Sequence, residues 1–382
     1  MFKNIRFLLL VLVAASAMAQ PLRDINYSYA YNPDEAVRLQ LHPVRTSTEW
    51  QVFYALQVKD TTDANKKFSI EWTTRESLSD KEGKPLQTDS AGQISDRLTL
   101  PLSPQTTYLV AKVINKQIKR AWIFYTTLDP NYPVNAWVER NGEVVSNAFV
   151  NLRDSFIVKG LTTAVVSYYN DNFPTAQPPF AETQGKVSRG MKSDSVFTIR
   201  EGGVLRFSKK GLYLMQTDTN ATSGVTIRVE DDYPKLAKIQ TLAPPLVYIT
   251  TAQEYNRLLS AKNEKKQFDR VVLGITNDQE RARRLMRNYF RRVEVVNELF
   301  TSYKEGWKTD RGMVYIVFGL PDEVFKFSDR EVWNYNSTGQ NMSFTFIKSS
   351  SVFDPDNYVL LRDKKYQQAW YETIDLWRGS RF

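Results

Sequence analysis

Hydrophobic and polar positions divide the chain into a long strand-like part and a shorter helical part. From Asp24 to Thr127, aromatic and β-branched residues cluster in short runs between polar turns, a pattern typical of antiparallel strands. These runs are residues 50–58, 68–72, 108–113 and 121–125. We therefore predict a first immunoglobulin-like β-sandwich domain over residues 20–129.

A second strand-rich stretch follows and predicts a second β-sandwich domain over residues 130–243. Its strand candidates are residues 144–145, 149–152, 164–169, 195–199, 211–217 and 224–229. Proline-rich segments at 129–133 and 243–245 bound it, because each proline removes a donor from a strand ladder. The polar, proline-rich loop at 170–179 has two interpretations, a lid over the sheet edge or a partner-binding loop.

The helical pattern begins at Thr251, which is a candidate N-cap with Glu254 three residues later, as a capping box requires. A long helix is predicted from about Asp278 to Lys304. One face of this helix carries apolar residues at spacings of three and four, and must pack against a core. Those residues are Leu285, Tyr289, Val293, Val296, Phe300 and Tyr303.

The residues after the long helix predict a small antiparallel sheet covered by helices. Gly306 suits a left-handed cap that ends the helix, and Met313 to Phe318 is a predicted strand. A turn at Gly319-Leu320-Pro321 is expected to start a short helix, with Asp322 and Glu323 in its first turn.

A hairpin is predicted from residues 331–335 and 342–347, with its turn at 337–339. A strand at 358–362 and a final helix from about Lys365 to Arg378 complete this part. Residues 244–382 therefore predict an α+β domain, in which a long helix lies on a small antiparallel sheet.

Seven consecutive residues, Gly306-Trp307-Lys308-Thr309-Asp310-Arg311-Gly312, carry the most specific motif of the chain. This stretch resembles the signature of the GWxTD domain family, and the resemblance continues through 313–322 and 331–335. The resemblance implies an exported protein of the kind found in Bacteroidota and related bacteria, and it implies no particular reaction. The signature residues, a candidate recognition surface, are Gly306, Trp307, Thr309, Asp310, Arg311, Gly312, Gly319, Pro321, Asp322, Trp333 and Tyr335.

The first residues predict export. Lys3 and Arg6 precede an apolar run, and Ala17-Met18-Ala19 fits the small-x-small cleavage rule, so residues 1–19 are a predicted signal peptide. The apolar run is shorter than the roughly 20 residues that a transmembrane helix needs. The chain has no cysteine, which excludes a lipidated N-terminal cysteine, disulfides and thiolate sites. We expect a protein of the periplasm or associated with the outer membrane, with no transmembrane helix after cleavage.

Charge narrows the partners that we expect. The formal net charge is +9, and removal of two cations with the signal peptide leaves +7 (9 − 2). This excess favours an anionic lipid, glycan or acidic protein face over a cationic partner, and nucleic acid is not expected for an exported chain. Five arginines on the polar side of the long helix form either a solvated face or an anionic-partner face: Arg281, Arg284, Arg287, Arg291 and Arg292.

Few residues could support catalysis. His42 is the only histidine, which excludes a Ser-His-Asp triad in the C-terminal domain and any multi-histidine metal site. No phosphate loop or dinucleotide fingerprint is present, so no cofactor and no metal are expected. Aspartate pairs at 60 and 63 and at 231 and 232 have spacings that are ordinary for turns, and calcium is not expected there either.

Three functions remain open, and the third of them is direct binding of an anionic lipid by the arginine face. The first is a non-enzymatic scaffold that binds a protein partner in outer-membrane assembly or secretion, because tryptophan, tyrosine and arginine are the usual interface anchors. The second is a polysaccharide-binding protein or hydrolase that uses Asp310, with Asp322 or Glu323 as a second carboxylate. The order of helix, Gly-x-Pro turn and Trp-x-Tyr hairpin is similar to small lipoproteins that support assembly of outer-membrane barrels.

Overall fold

The computed structural model describes residues 20–88, 95–145, 147–170, 173–183, 190–261, 263–336 and 341–381. The predicted signal peptide and the predicted hairpin turn at 337–339 lie outside these residues, as do two residues of the loop at 170–179. Within the described part of the chain, no helix is long and apolar enough to cross a membrane.

The first β-rich unit is a two-sheet sandwich, as predicted. Its strands are β1 (Val37–Arg45), β2 (Glu49–Val58), β3 (Phe68–Arg75), β4 (Lys84–Pro85), β5 (Ser95–Pro101), β6 (Thr107–Asn115) and β7 (Arg120–Leu128), and a one-turn helix, α1 (Ala64–Lys67), precedes β3. Sheets in the orders β1-β2-β5 and β4-β3-β6-β7 share one core that contains Trp50, Trp72 and Trp122. The pattern missed β1, β4 and β5.

The second unit is also a two-sheet sandwich. Its strands are β8 (Trp137–Arg140), β9 (Glu143–Val144), β10 (Phe149–Asn151), β11 (Phe156–Lys159), β12 (Thr163–Tyr169), β13 (Ser195–Arg200), β14 (Val204–Leu205), β15 (Gly211–Gln216) and β16 (Val225–Glu230). The sheets have the orders β10-β16-β15-β12-β13 and β14-β11-β8-β9, and β10 pairs with β16 in parallel. Every residue of β15 is buried, because one face meets the sandwich core and the other meets the C-terminal part.

The C-terminal part packs helices on a four-stranded antiparallel sheet. The helices are α2 (Ile239–Leu242), α3 (Ala252–Ser260), α4 (Lys265–Thr276), α5 (Gln279–Phe300), α6 (Asp310–Phe318) and α7 (Gln367–Arg378). The sheet has the order β17-β18-β19-β20, formed by β17 (Glu323–Lys326), β18 (Arg330–Tyr335), β19 (Met342–Lys348) and β20 (Tyr358–Leu360). Short 3₁₀ turns lie at Leu22–Asp24, Ser28–Tyr31, Pro244–Tyr248, Gly306–Lys308 and Lys364–Tyr366.

Several predictions for this part are confirmed. Thr251 and Glu254 form both hydrogen bonds of a capping box at the start of α3. The apolar face of α5 is buried from Leu285 to Phe300, although the helix ends at Phe300 and not at Lys304. The predicted hairpin exists as β18 and β19.

Two element predictions were wrong. Residues 313–318 belong to the helix α6 and not to a strand, and residues 323–326 form β17 where a short helix was expected. Helix α6 is buried on all sides from Gly312 to Phe318, so its sequence has no polar face to reveal a helical period. Its β-branched and aromatic residues then resemble those of a buried strand.

Two distant segments complete the C-terminal core. The N-terminal segment contributes Tyr27 and Tyr31, and the amide of Tyr27 donates to the Val324 carbonyl at 2.8 Å. The predicted lid or partner loop contributes Ala176, whose amide donates to the Lys308 carbonyl at 3.0 Å. The described part of that loop therefore covers the C-terminal domain of its own chain.

Candidate functional site

The signature is a tight crossing of two backbones, built around two glycines. A β-carbon on Gly306 would lie 2.0 Å from the Val296 carbonyl oxygen in α5, and one on Gly312 would lie 1.9 Å from the Gly306 carbonyl oxygen. Real side chains do not approach so closely, so both positions require glycine. Gly306 lies in a 3₁₀ turn, and its left-handed cap prediction was wrong: the close approach, and not a positive φ, requires glycine there.

Trp307 is buried and only 4% exposed. Its amide donates to Asn297 Oδ1 of α5 at 3.1 Å, and its carbonyl accepts from the Tyr248 hydroxyl at 2.8 Å. The indole therefore belongs to the domain core in this structure. A direct recognition role for the indole would require the core to open, and the recognition surface formed by the signature residues stays a prediction.

Thr309 and Asp310 organise the start of α6. Thr309 is the N-cap: its hydroxyl donates to the Gly306 carbonyl at 2.7 Å and accepts from the Gly312 amide at 3.0 Å. Asp310 lies in the first turn, where a negative charge is favourable. Its Oδ1 atom pairs with Arg362 Nη2 at 2.6 Å, and its Oδ2 atom accepts from the Leu360 amide at 2.8 Å.

Arg362 extends this contact to a third segment. Its Nη2 atom also donates to the Gln177 carbonyl at 3.1 Å, and both members of the pair with Asp310 are less than a tenth exposed. Asp310 thus links the start of α6, the end of β20 and the loop that covers the domain. Both carboxylate oxygens are occupied by these internal contacts.

Arg311 belongs to a separate buried cluster and does not pair with Asp310. It lies 3.7 Å from Glu331 Oε2 and its guanidinium stacks 4.5 Å from the Tyr358 ring centroid. Glu331 is almost fully buried, and it accepts from the Tyr31 hydroxyl at 2.7 Å and the Trp333 indole at 3.1 Å. Burial alone would raise the pKa of Glu331, but the charges of Lys326 and Arg311 and these hydrogen bonds bring it below its ordinary value.

The other signature residues support the sheet. Gly319 ends α6 with φ +89°, a conformation that suits glycine, and its carbonyl accepts from the Tyr335 hydroxyl at 2.9 Å. Pro321 is buried, and the Asp322 carboxylate accepts from the Asn336 amide at 2.6 Å. Trp333 is fully buried. These side chains serve packing and local hydrogen bonding.

A buried charge network joins the signature to the second sandwich. Arg228 of β16 is fully buried, pairs with Glu230, and lies 3.4 Å from Glu305, the residue before the signature. Arg228 also donates to the Tyr303 carbonyl at 2.8 Å. Lys308 completes the network at 2.9 Å from Glu305.

The arginine face is exposed at four of its five predicted positions: Arg281, Arg284, Arg287 and Arg291. Arg292 is different, and its place on that face was wrong. It donates to the carbonyls of Ile316 and Val317 at 2.9 and 3.1 Å and stacks on Trp377, so it caps the end of α6. Glu280 pairs with the neighbouring Arg283 at 2.5 Å.

His42 and the aspartate pairs lie away from the signature. His42 lines a cavity of about 260 Å³ between the two sandwiches and the C-terminal part. Burial lowers the pKa of His42 to about 4, so its imidazole is neutral near pH 7.

Asp60 and Asp231 pair with Lys67 and Lys238. Across the described residues, no group of three or more histidine, aspartate or glutamate side chains could hold a metal ion.

The comparison with protein families agrees with the signature. The sequence model of the GWxTD domain matches residues 211–379. The chain therefore contains a GWxTD domain. No curated protein matches the chain at a significant level.

The matched range of the GWxTD domain begins at β15, before the predicted boundary at 244. The geometry gives a reason, because β15 is buried against the C-terminal part and β16 carries Arg228 and Glu230 of the charge network. Sequence reasoning found Asp310 and Arg311 but missed their partners Arg362 and Glu331. Glu331 was visible only as the charged first residue of the strand predicted at residues 331–335.

Proposed function

We propose that this GWxTD domain protein is a non-enzymatic exported scaffold that binds a protein partner in the cell envelope, in outer-membrane assembly or secretion. The observation that carries the proposal is that the signature residues make internal contacts. Its polar groups are consumed in contacts that tie α5, α6, β20 and two distant segments together. A residue set used in this way builds a rigid body, which suits a scaffold.

The arrangement favours this function over a hydrolase. A glycosidase needs two carboxyl groups that face each other across a cleft. Asp310 is buried with both oxygens occupied, and Asp322 accepts a backbone hydrogen bond in a turn. Asp310 is also absent from the lining of the cavity at His42.

An exposed strand edge offers a surface for the protein partner. β13 is the end strand of its sheet and pairs only with β12 within the described residues. Val196 is 52% exposed and Phe197 is 39% exposed. An uncovered edge strand can pair with an extended segment of another chain through its free backbone groups.

The test is crosslinking of the tagged full-length chain in its native cells, followed by identification of what it holds. Trp307→Ala is unsuitable as a probe, because truncation of a buried tryptophan costs about 3–5 kcal/mol and threatens the fold. Val196→Lys places a charge on the exposed edge, where it opposes strand pairing. Ile118→Lys is the matched control, since Ile118 is 64% exposed and lies on the first sandwich.

We expect a defined envelope protein with the wild type and with Ile118→Lys, and its loss with Val196→Lys. Retention by both variants would keep the protein-binding function but reject this edge as its surface. Recovery of no protein with the wild type would overturn the proposal in favour of a glycan or lipid ligand.

A further inference from the structure

An open groove lies among α2, α4 and the first half of α5, away from the signature. Its volume is about 1160 Å³. Leu273 in its lining is 43% exposed. The apolar lining residues are Ile239, Leu242, Phe268, Val272, Leu273 and Met286. We call this feature the α4–α5 groove.

Cations surround the α4–α5 groove. Lys238, Lys265, Arg283 and Arg287 belong to its lining, and Asp269 is the one carboxylate there. Each of α2, α4 and α5 contains a cation of the lining or directly follows one. Positive charge therefore surrounds the apolar residues of the groove.

Arg287 is the cation best placed to take a ligand. Lys265 pairs with Asp269 and Arg283 pairs with Glu280, each at 2.5 Å. The Arg287 side chain is exposed and forms no ion pair with the residues that the structure describes. A guanidinium in this state presents its donors to an incoming anion.

We propose that the α4–α5 groove binds an anionic phospholipid, with an acyl chain on the apolar lining and the headgroup phosphate on Arg287 and Arg283. An acyl chain needs no hydrogen-bonding partner along its length, and the flexible side chain of Met286 adapts to such a shape. Phosphate matches the planar fork of a guanidinium. The inference is independent of the protein partner proposed above.

The experiment titrates the purified chain without its predicted signal peptide by calorimetry, with three probes below their micellar concentrations. Lysophosphatidylglycerol supplies the chain and the anionic phosphate head, a monoacylglycerol of the same chain length supplies the chain and glycerol without the phosphate, and glycerol 3-phosphate supplies the charge alone. We expect saturable binding of one lysophosphatidylglycerol. The monoacylglycerol should bind about tenfold more weakly, as the loss of one charge-assisted contact of about 1.4 kcal/mol implies. Glycerol 3-phosphate should show no measurable binding.

Matched variants assign the effect to the α4–α5 groove. Arg287→Gln should weaken binding of lysophosphatidylglycerol by about tenfold and leave binding of the monoacylglycerol unchanged, whereas Leu273→Ser should weaken binding of both. Arg281→Gln removes the same charge from the same helix outside the lining. Leu376→Ser removes an aliphatic side chain of similar exposure, 41%, from α7. Neither control should change binding.

Three results would overturn the proposal. Equal affinity for the two lipids would show that the headgroup phosphate contributes nothing to binding. An equal effect of Arg281→Gln and Arg287→Gln would indicate attraction of anions to the whole arginine face. Binding of neither lipid would leave an acidic amphipathic helix as the ligand class to test.

Discussion

At the scale of single residues, the GWxTD signature is explained by two roles. Its glycines leave space for neighbouring backbone, and its polar side chains hold the surrounding segments together. Gly306 lets the chain pass directly against the backbone of α5. Gly312 lets the chain pass directly against the backbone of Gly306. Thr309 then caps α6, and Asp310 anchors the start of α6 to Arg362. None of these contacts requires a side chain of the signature to be exposed to solvent.

Alanine at either signature glycine should strongly destabilise the protein. The new methyl group at Gly306 or Gly312 would meet a backbone oxygen at about 2 Å, and backbone cannot move aside as a side chain can. We expect a loss of about 1–3 kcal/mol or more in the free energy of unfolding, measured by urea titration.

Gly274→Ala is the control for these glycines. Gly274 lies in α4 with nothing within 4 Å of its β-carbon position, so alanine there should leave stability unchanged or raise it by about 0.5–1 kcal/mol. Similar losses at all three positions would contradict the close-approach explanation.

Sequence reasoning reached the residues of the signature but not their partners. Asp310 and Arg362 are 52 positions apart, and Tyr31 and Glu331 are 300 apart. Local periodicity and turn chemistry contain no information about contacts between residues so far apart in the sequence. The type of residue at 310 indicated a paired or reactive carboxylate, and only the fold shows that it is paired.

At the scale of elements, a solvent-facing side made several elements predictable, although β1 and β5 were missed. The paired strands of the first sandwich and the amphipathic helix α5 follow alternation or a period of three to four, and both predictions are confirmed. Helix α6 is enclosed on all sides, so its pattern could not distinguish a helix from a strand. β15 is also fully buried, yet its strand was predicted correctly at residues 211–217.

One contact between elements should depend on pH. Arg378 of α7 binds Glu254 of α3 through two hydrogen bonds of 2.7 and 2.8 Å. These bonds, with the capping-box bond from Thr251, lower the pKa of Glu254 to about 2. A carboxyl whose pKa is lowered in the folded state contributes stability above its unfolded pKa, near 4.5, and loses that contribution as the pH falls toward 2.

Glu254→Gln isolates this contribution, because glutamine keeps the capping-box geometry without the charge. At pH 7 the variant should be less stable than the wild type by about 1–3 kcal/mol. The difference should shrink between pH 4.5 and pH 2 in paired urea titrations. A difference that stays constant across this pH range would show that the pair contributes no pH-dependent stability.

At the scale of the whole molecule, the C-terminal part is not closed on itself. Tyr31 packs 5.2 Å from Trp333 and 5.5 Å from Phe300, measured between ring centroids, and lies under the sheet with Tyr27. Arg228 reaches from the second sandwich to Glu305. Segments that precede the predicted boundary at 244 therefore fill space and balance charge inside the C-terminal core.

This dependence predicts how fragments behave. Residues 244–382 alone should not unfold cooperatively, because Trp333 and Phe300 would be uncovered and Glu305 would lose Arg228. A fragment of residues 211–382 regains the charge network but still lacks Tyr27 and Tyr31. We expect weak cooperativity for that fragment in urea titrations followed by tryptophan fluorescence.

A peptide of residues 20–36 added to the 211–382 fragment should raise its urea midpoint, whereas the same peptide with Tyr27→Ala and Tyr31→Ala should not. Stabilisation by a ligand grows with its concentration, so the midpoint should rise with the amount of intact peptide. Cooperative unfolding of residues 244–382 without any peptide would contradict the prediction. In that case the tyrosine contacts and the Arg228 network would join parts that already fold separately, and the molecule would owe its rigidity to docking between independent domains.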